Sequence, residues 1–180
     1  MQSIESKDFF SENPIKEFIG AGFEKYRPHW QWERNIPNSS FYFIADGTLT
    51  FECESKSFKA QKNDVVFLRR NESAIIKNES DIYSSLYYIA FNYDESIDLC
   101  LSTLYKNTSH LHSFKDILDT HRSKAPLSGL KIFHLFAKLL YSLSSENLKS
   151  KKDYLLTSRI QSAAEYININ YYKNITIEQL

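Results

Sequence analysis

The chain has 180 residues, with 22 Lys plus Arg against 22 Asp plus Glu, so its formal net charge is zero. That balance argues against this chain being the main contact for nucleic-acid phosphates, which call for an excess of cations. Hydrophobic residues make up 42% and charged residues 24%, ordinary for a globular protein, and the length suits one full domain plus a piece of another.

The first residues, MQSIESKDFFSENP, contain no apolar signal core. The segment SKDFFSENPIKEF reads as a mixed polar and aromatic arm, by default a frayed terminus. Residues from about 20 to 94 are strand-like. Trp30, Trp32 and Arg34 alternate on an early strand. In FYFIADGTLTFEC, Asp46-Gly47 has the composition of a two-residue hairpin turn, which needs positive φ at both positions. That register places Tyr42, Ile44, Leu49, Phe51 and Cys53 on one face and Phe41, Phe43, Ala45, Thr48, Thr50 and Glu52 on the other. The first set is the more uniformly apolar and is expected to point inward. A second short turn is expected at Ser55-Lys56. Asn63 sits where a turn wants a left-handed residue. VVFL, residues 74–77 and residues 83–91 supply further strands, and many short strands with regular turns indicate a sandwich or barrel.

Residues from about 96 to 146 are helix-like. Phe114, Ile117 and Leu118 mark a short helix. Pro126 is expected to open a longer one over residues 127–143. That helix carries apolar residues nearly all round, so it must be covered on more than one side. Two covers are open: the barrel and a neighbour within the chain, or a second copy of the chain meeting Leu130, Phe133, Phe136, Ala137, Leu140 and Tyr141. Lys131, His134 and Lys138 interrupt the stretch, so it is not a membrane span, and a cytoplasmic protein is expected. The two cysteines, Cys53 and Cys100, suit neither a disulfide framework nor a zinc cluster and read as reduced thiols.

After a polar link at residues 147–153, with Lys149, Lys151 and Lys152 as a small solvated basic cluster, comes an amphipathic helix over residues 159–172. Ile160, Ala163, Ala164, Ile167 and Tyr171 recur along it at helical spacing. Thr176 with Gln179 forms a capping box, so a further helix is expected to begin just before Leu180. A helix that short is far below the roughly 12–15 residues of marginal stability, which predicts that Leu180 falls just inside a second domain.

The order of these parts resembles the AraC/XylS family of bacterial transcription regulators. PHWQWERNIPNSSFYFIADGTLTFECESKSFKAQKNDVVFL resembles that family's cupin-type effector-binding barrel, with Arg34, the Gly47 turn, and Asn63-Asp64 where the family has Gly-Asp. RIQSAAEYININYYKNITIEQL resembles the first helix of its DNA-binding domain and the opening of the second. The resemblance implies a mainly β fold with helices: a cupin-like barrel, then dimerisation helices, then a truncated helix-turn-helix domain. The implied divisions are 1–94 for arm and barrel, 95–150 for the helical dimerisation region, and 151–180 for the start of the DNA-binding domain. It implies a homodimer that responds to a small-molecule effector, sugar-like for preference. DNA would be bound by the full-length protein rather than by this fragment. One departure is that RRNESAII follows VVFL where such barrels often carry a proline and then a histidine.

The candidate ligand-binding residues are Trp30, Trp32, Arg34, Tyr42, Ile44 and Phe51. Aromatic faces with a few polar groups suit a small-molecule pocket, but rings inside a small barrel also serve as packing. Core packing is the favoured role of Tyr42 and Phe51, whereas pocket and structure are equally open for Trp30, Trp32 and Arg34. No catalytic residue, cofactor or metal is expected. His110-Leu111-His112 has the two-residue spacing that converges on a metal from a strand, but it falls in the helical region, where such residues diverge. Two solvated histidines are the expectation there. His29, beside Trp30, reads as structural or ligand-facing. Gly-rich phosphate loops, G-x-S-x-G and C-x-x-C are all missing. The competing classes are a metal-dependent cupin enzyme, an isomerase or dioxygenase, and a dimerisation module with a filled barrel.

Overall fold

A computed structural model describes residues 14–53 and 56–170, without the side chains of residues 34 and 152–170. Nine strands precede two helices among the described residues: β1 Ile15–Tyr26, β2 Trp30–Asn35, β3 Ser39–Asp46, β4 Thr48–Cys53, β5 Lys56–Gln61, β6 Val65–Leu68, β7 Ser73–Asn78, β8 Ser84–Tyr93, β9 Leu104–Tyr105, α1 Leu111–Ser123 and α2 Ser128–Asn170. They form two antiparallel sheets, one in the order β1-β8-β3-β6-β9 and the other β2-β7-β4-β5. The protein is mainly β, with its helices on the outer face of the first sheet.

Two apolar layers result. Between the sheets lie Ile44, Leu49, Phe51, Cys53, Val66, Leu68, Ile76 and Leu86. Between the first sheet and the helices lie Phe41, Phe43, Phe67, Ile89, Phe91, Phe114, Ile117, Phe136 and Leu139. The rings of Phe91 and Phe136 are 4.7 Å apart and those of Phe43 and Phe114 are 5.5 Å apart. The face assignment made for residues 41–53 is therefore correct.

The pairing that supported it is not. β3 pairs with β6 and β8, and β4 with β5 and β7. Asp46-Gly47 is thus a corner between sheets rather than a hairpin turn. Gly47 has φ +76°, and a Cβ there would collide with Ser84. Ser84 holds the corner: its hydroxyl donates to the Thr48 carbonyl at 3.0 Å and accepts from the Thr48 amide at 3.2 Å. Glycine is required because the chain turns left-handed and passes close to β8 at the same residue.

Asn63 is left-handed as expected, with φ 71°. β4 and β5 pair with Cys53 opposite Lys56, so Lys56 already belongs to a strand, and Ser55 lies outside the described residues. β1 takes up residues 15–18 of the expected arm, Pro14 precedes it with its carbonyl accepting from the Asp94 amide, and residues 6–13 lie outside the described residues. α2 begins at Ser128, two residues after Pro126, following Leu127 at φ 63°. It then runs through the expected link at residues 147–153 as one continuous helix of 43 residues. Tyr171 and the Thr176 capping box lie outside the described residues. No helix among them is long and apolar enough to cross a membrane.

One buried carboxylate ties the loops together. Asp64 accepts from the Gln61 amide (2.9 Å), the Asn107 amide (2.9 Å) and the Lys106 ammonium (2.8 Å). Burial alone would raise its pKa, but these donors outweigh burial and hold it below the ordinary 3.8. A depressed carboxylate stabilises the fold above its unfolded pKa and loses that contribution as pH falls through the folded value. Asp64→Ala is expected to lose about 1–3 kcal/mol in urea unfolding at neutral pH, since it removes the acceptor that the Gln61 and Asn107 amides and the Lys106 ammonium share. The deficit relative to wild type should begin to shrink as pH falls below the ordinary carboxylate value of 3.8 and should vanish only below the lower value that Asp64 has in the fold.

Candidate functional site

A cavity of about 500 Å³ opens between the sheets at the end where β1, β2, β3, β7 and β8 meet the Ile36–Asn38 connection. Strand alternation builds its walls. On the first sheet, Gly22 of β1, Tyr88 of β8 and Tyr42 of β3 lie in one row, and Ala90 and Ser40 in the next. On the second sheet, Trp30 and Trp32 of β2 stand two apart, with Ile76 of β7 opposite Trp32. The space exists because small residues, Ser40 and Ala90, stand among the large ones. Gly22 adds to it, because a Cβ there would overlap the Tyr88 ring. The ring therefore lies down on β1 instead of standing into the cavity.

Tyr26, at the end of β1, stacks on Trp30 with ring centroids 4.2 Å apart and planes at 25°. Its hydroxyl donates to the carboxylate of Glu24 at the rim. Burial first, then this hydrogen bond and the Glu24 charge, push the Tyr26 phenol above the ordinary tyrosine range. Burial pushes the Tyr42 phenol up to about 12, against a lowering contact from Ser40 and with a further rise from Glu24. Both tyrosines are thus neutral hydroxyl groups at physiological pH. Ser40 in turn donates to the Asn38 carbonyl at 3.1 Å. Asn78 supports this end of the barrel: its amide donates to the carbonyls of Tyr26 (3.1 Å), Arg27 (3.1 Å) and Ile82 (2.8 Å).

Of the six ligand-binding candidates, the structure brings Trp30, Trp32 and Tyr42 to this cavity. Ile44 and Phe51 are fully buried in the layer between the sheets, away from the cavity wall, because corner and core packing claim them. Phe51 stacks on Phe58 instead, with planes at 7°. Arg34 belongs to β2, paired with Ala74, and its side chain lies outside the described residues. Sequence reasoning missed Glu24, Tyr26 and Tyr88. The available signal was period-two alternation through Gly22, Glu24 and Tyr26, and through Leu86, Tyr88 and Ala90.

His110, expected to be solvated, is instead buried at the start of α1, with Nε2 2.9 Å from Glu146 Oε1 on α2. His112 is exposed and pairs with Asp116 one helical turn on. His29 is exposed, has φ 56° and pairs with Asp81, so it lies outside the cavity wall. Cys53 and Cys100 form no disulfide. Among the described residues no three His, Cys, Asp or Glu side chains are grouped so as to hold a metal ion.

α2 divides the dimerisation candidates. Phe136 and Leu140 are buried against the first sheet, and Ala137 is half-buried at the edge of that layer. Leu130, Phe133 and Tyr141 are exposed. At 100° per residue, Leu130 and Tyr141 lie on the side of the helix away from the buried set Ile132, Phe136, Leu139, Leu140 and Leu143, whereas Phe133 lies at the edge of that set beside Leu140. The barrel therefore covers one stripe, and the side away from it is open in the single chain.

No protein-family model matches the chain, and no curated protein matches it. Similar solved structures include an ethanolamine utilization protein Q of Salmonella typhimurium LT2, with 18% identity, coverage of 41% of this chain and 58% of that one, and a TM-score of 0.36. A Cupin 2 conserved barrel domain protein of Salinispora arenicola CNS-205 shares 14% identity over 42% of this chain and 63% of that one, with a TM-score of 0.38. The cupin domain of Schizosaccharomyces pombe Cnp3 shares 23% over 46% and 61%, with a TM-score of 0.39. Two of these three neighbours are described as cupin proteins. The chain spans less than two thirds of each of these three. Likenesses this slight carry no argument about function.

Because Gly22 makes room for the Tyr88 ring, Gly22→Ala should tilt that ring into the cavity. The expected result is a small loss of thermal stability together with a smaller cavity in a crystal structure of the variant. An unchanged Tyr88 rotamer and cavity would show that the ring does not depend on the glycine.

Proposed function

We propose that this chain is the effector-sensing and dimerisation part of a bacterial transcription regulator of the AraC/XylS type. A small molecule enters the inter-sheet cavity, and the exposed stripe of α2 meets a second copy. A domain beyond the described residues binds DNA. The protein acts in the cytoplasm as a sensor rather than as an enzyme. The observation that carries this reading is that one sheet walls the cavity on its inner face and seats α1 and α2 on its outer face. Neighbouring residues, Tyr42 and Phe41, stand in the cavity wall and the helix layer respectively. A ligand that moved the first would bear on the second.

The aromatic wall supports a small organic effector, of which the sugar-like compound implied by the resemblance is one candidate. The competing reading, a metal-dependent isomerase or dioxygenase, requires a donor cluster, and the donor chemistry of the cavity wall does not favour one: it holds one carboxylate and no histidine among its described residues.

Thermal unfolding against a panel of sugars, amines and small acids, with and without chelator, tests the sensor reading. A ligand at a hundred times its Kd should stabilise by about 2.7 kcal/mol, whether or not chelator is present. Destabilisation by chelator alone would favour the enzyme. For the dimer, Leu130→Glu with Tyr141→Glu should shift sedimentation toward monomer without lowering the melting temperature of the monomer. Phe136→Ala should cost about 3–5 kcal/mol of fold stability. Sedimentation unchanged by the paired substitution would remove α2 as the interface.

A further inference from the structure

We infer, building on the sensor reading, that the inter-sheet cavity selects an organic ammonium ion, an alkylated or primary amine, held between aromatic rings with Glu24 as its counter-charge. The rings come from both walls: Tyr26, Tyr42 and Tyr88 from the first sheet, Trp30 and Trp32 from the second. A sugar needs one or two flat faces on which to stack. Aromatic residues on both walls of a cavity of about 500 Å³ can instead surround a rounded group, and the negative face of an aromatic ring attracts a cation.

The charge pattern points the same way. Among the described residues the wall carries one carboxylate, Glu24, and no lysine or arginine. An anionic ligand would meet repulsion there without a described partner. A neutral ligand would gain little from a carboxylate already engaged by the Tyr26 hydroxyl. A cation gains from both the carboxylate and the rings. The Glu24 charge is felt along the first-sheet wall, where it adds to the rise that burial gives the phenols of Tyr26 and Tyr42. Tyr26 serves twice, orienting the carboxylate through its hydroxyl and extending the Trp30 ring into a double-thickness wall.

The two tryptophans of the chain, Trp30 and Trp32, both line the cavity, so tryptophan emission reports on this site alone. The test is a fluorescence titration of the wild-type chain with tetramethylammonium, choline, a linear diamine, and the neutral carbon isostere of choline in which carbon replaces the ammonium nitrogen. Neutral sugars and small carboxylates complete the set. At least one ammonium ion should alter the emission saturably, and choline should bind about 10-fold or more tightly than its isostere. Glu24→Gln, a change at an exposed rim position, should weaken the ammonium ion severalfold and leave the isostere unchanged. Trp32→Leu should weaken the cation more than the isostere.

Equal affinity for choline and its isostere, or saturable binding of sugars or carboxylates but of no amine, would overturn the cation assignment while leaving the cavity a ligand site. Binding of a carboxylate abolished by Arg34→Ala would do the same. Silence toward every compound in the set would overturn the cation assignment and the sensor reading together.

Discussion

β3 is buried on both faces over Ser39–Ile44, and the rest of the molecule is arranged around that constraint. Odd-numbered Phe41 and Phe43 pack against Phe136 and Phe114 of the helices. Even-numbered Tyr42 and Ile44 face the layer between the sheets. Each buried aromatic or aliphatic side chain contributes about 1.5–3 kcal/mol from removal of apolar surface, so neither layer can be surrendered without unfolding the other. Because close-packed interiors transmit displacement instead of absorbing it, the strand is the natural route by which events in the cavity reach the helices. A ligand can shift the helices only by as much as its affinities for the two arrangements differ. Tyr42, which lies opposite Tyr88 in the sheet, is where that difference would arise.

The two sheets are held face to face by short-range devices. Gly47 and Ser84 make the corner that carries the chain from β3 to β4. Asp64 then ties the β5–β6 turn to Asn107 and Lys106 beyond β9. The backbone closes the same circuit, since the Ile44 amide donates to the Asp64 carbonyl and the Asn63 amide to the Ile44 carbonyl, both at 2.9 Å. Tyr26 of the cavity wall lies beside this corner, paired with Ser84, and the cavity extends from there toward the small residues Gly22, Ser40 and Ala90.

The features legible in the sequence are those whose signals are local. Side-chain alternation is a property of one strand, so Tyr42, Ile44, Leu49 and Phe51 were assignable to the inner layer even though their strands do not pair. Pairing is non-local, and Asp46-Gly47 carries the same composition whether the chain turns back in one sheet or crosses to another. β1 is weakly marked because Gly20 and Gly22 interrupt it, and with β1 went Glu24 and Tyr26. Tyr88 looked like one aromatic residue among several on β8, because only the strand order places it beside Tyr42. The Lys-rich stretch at residues 147–153 read as a link, yet Leu and Lys are good helix formers, and α2 passes through it unbroken. The all-round apolar character of residues 127–143 did translate into a covered stripe and a set of exposed apolar residues, with Leu130 and Tyr141 facing away from the stripe and Phe133 at its edge.

The central claim is that the cavity and the helix layer are coupled through one shared sheet. The most direct measurement is amide hydrogen exchange of the wild-type chain, free and saturated with the compound that gives the largest thermal shift. The account predicts slower exchange in β3 and β8 together with a change in α1 and in the first half of α2, which touch no ligand. Protection confined to the strands and loops of the cavity wall, with both helices exchanging as in the free chain, would contradict it.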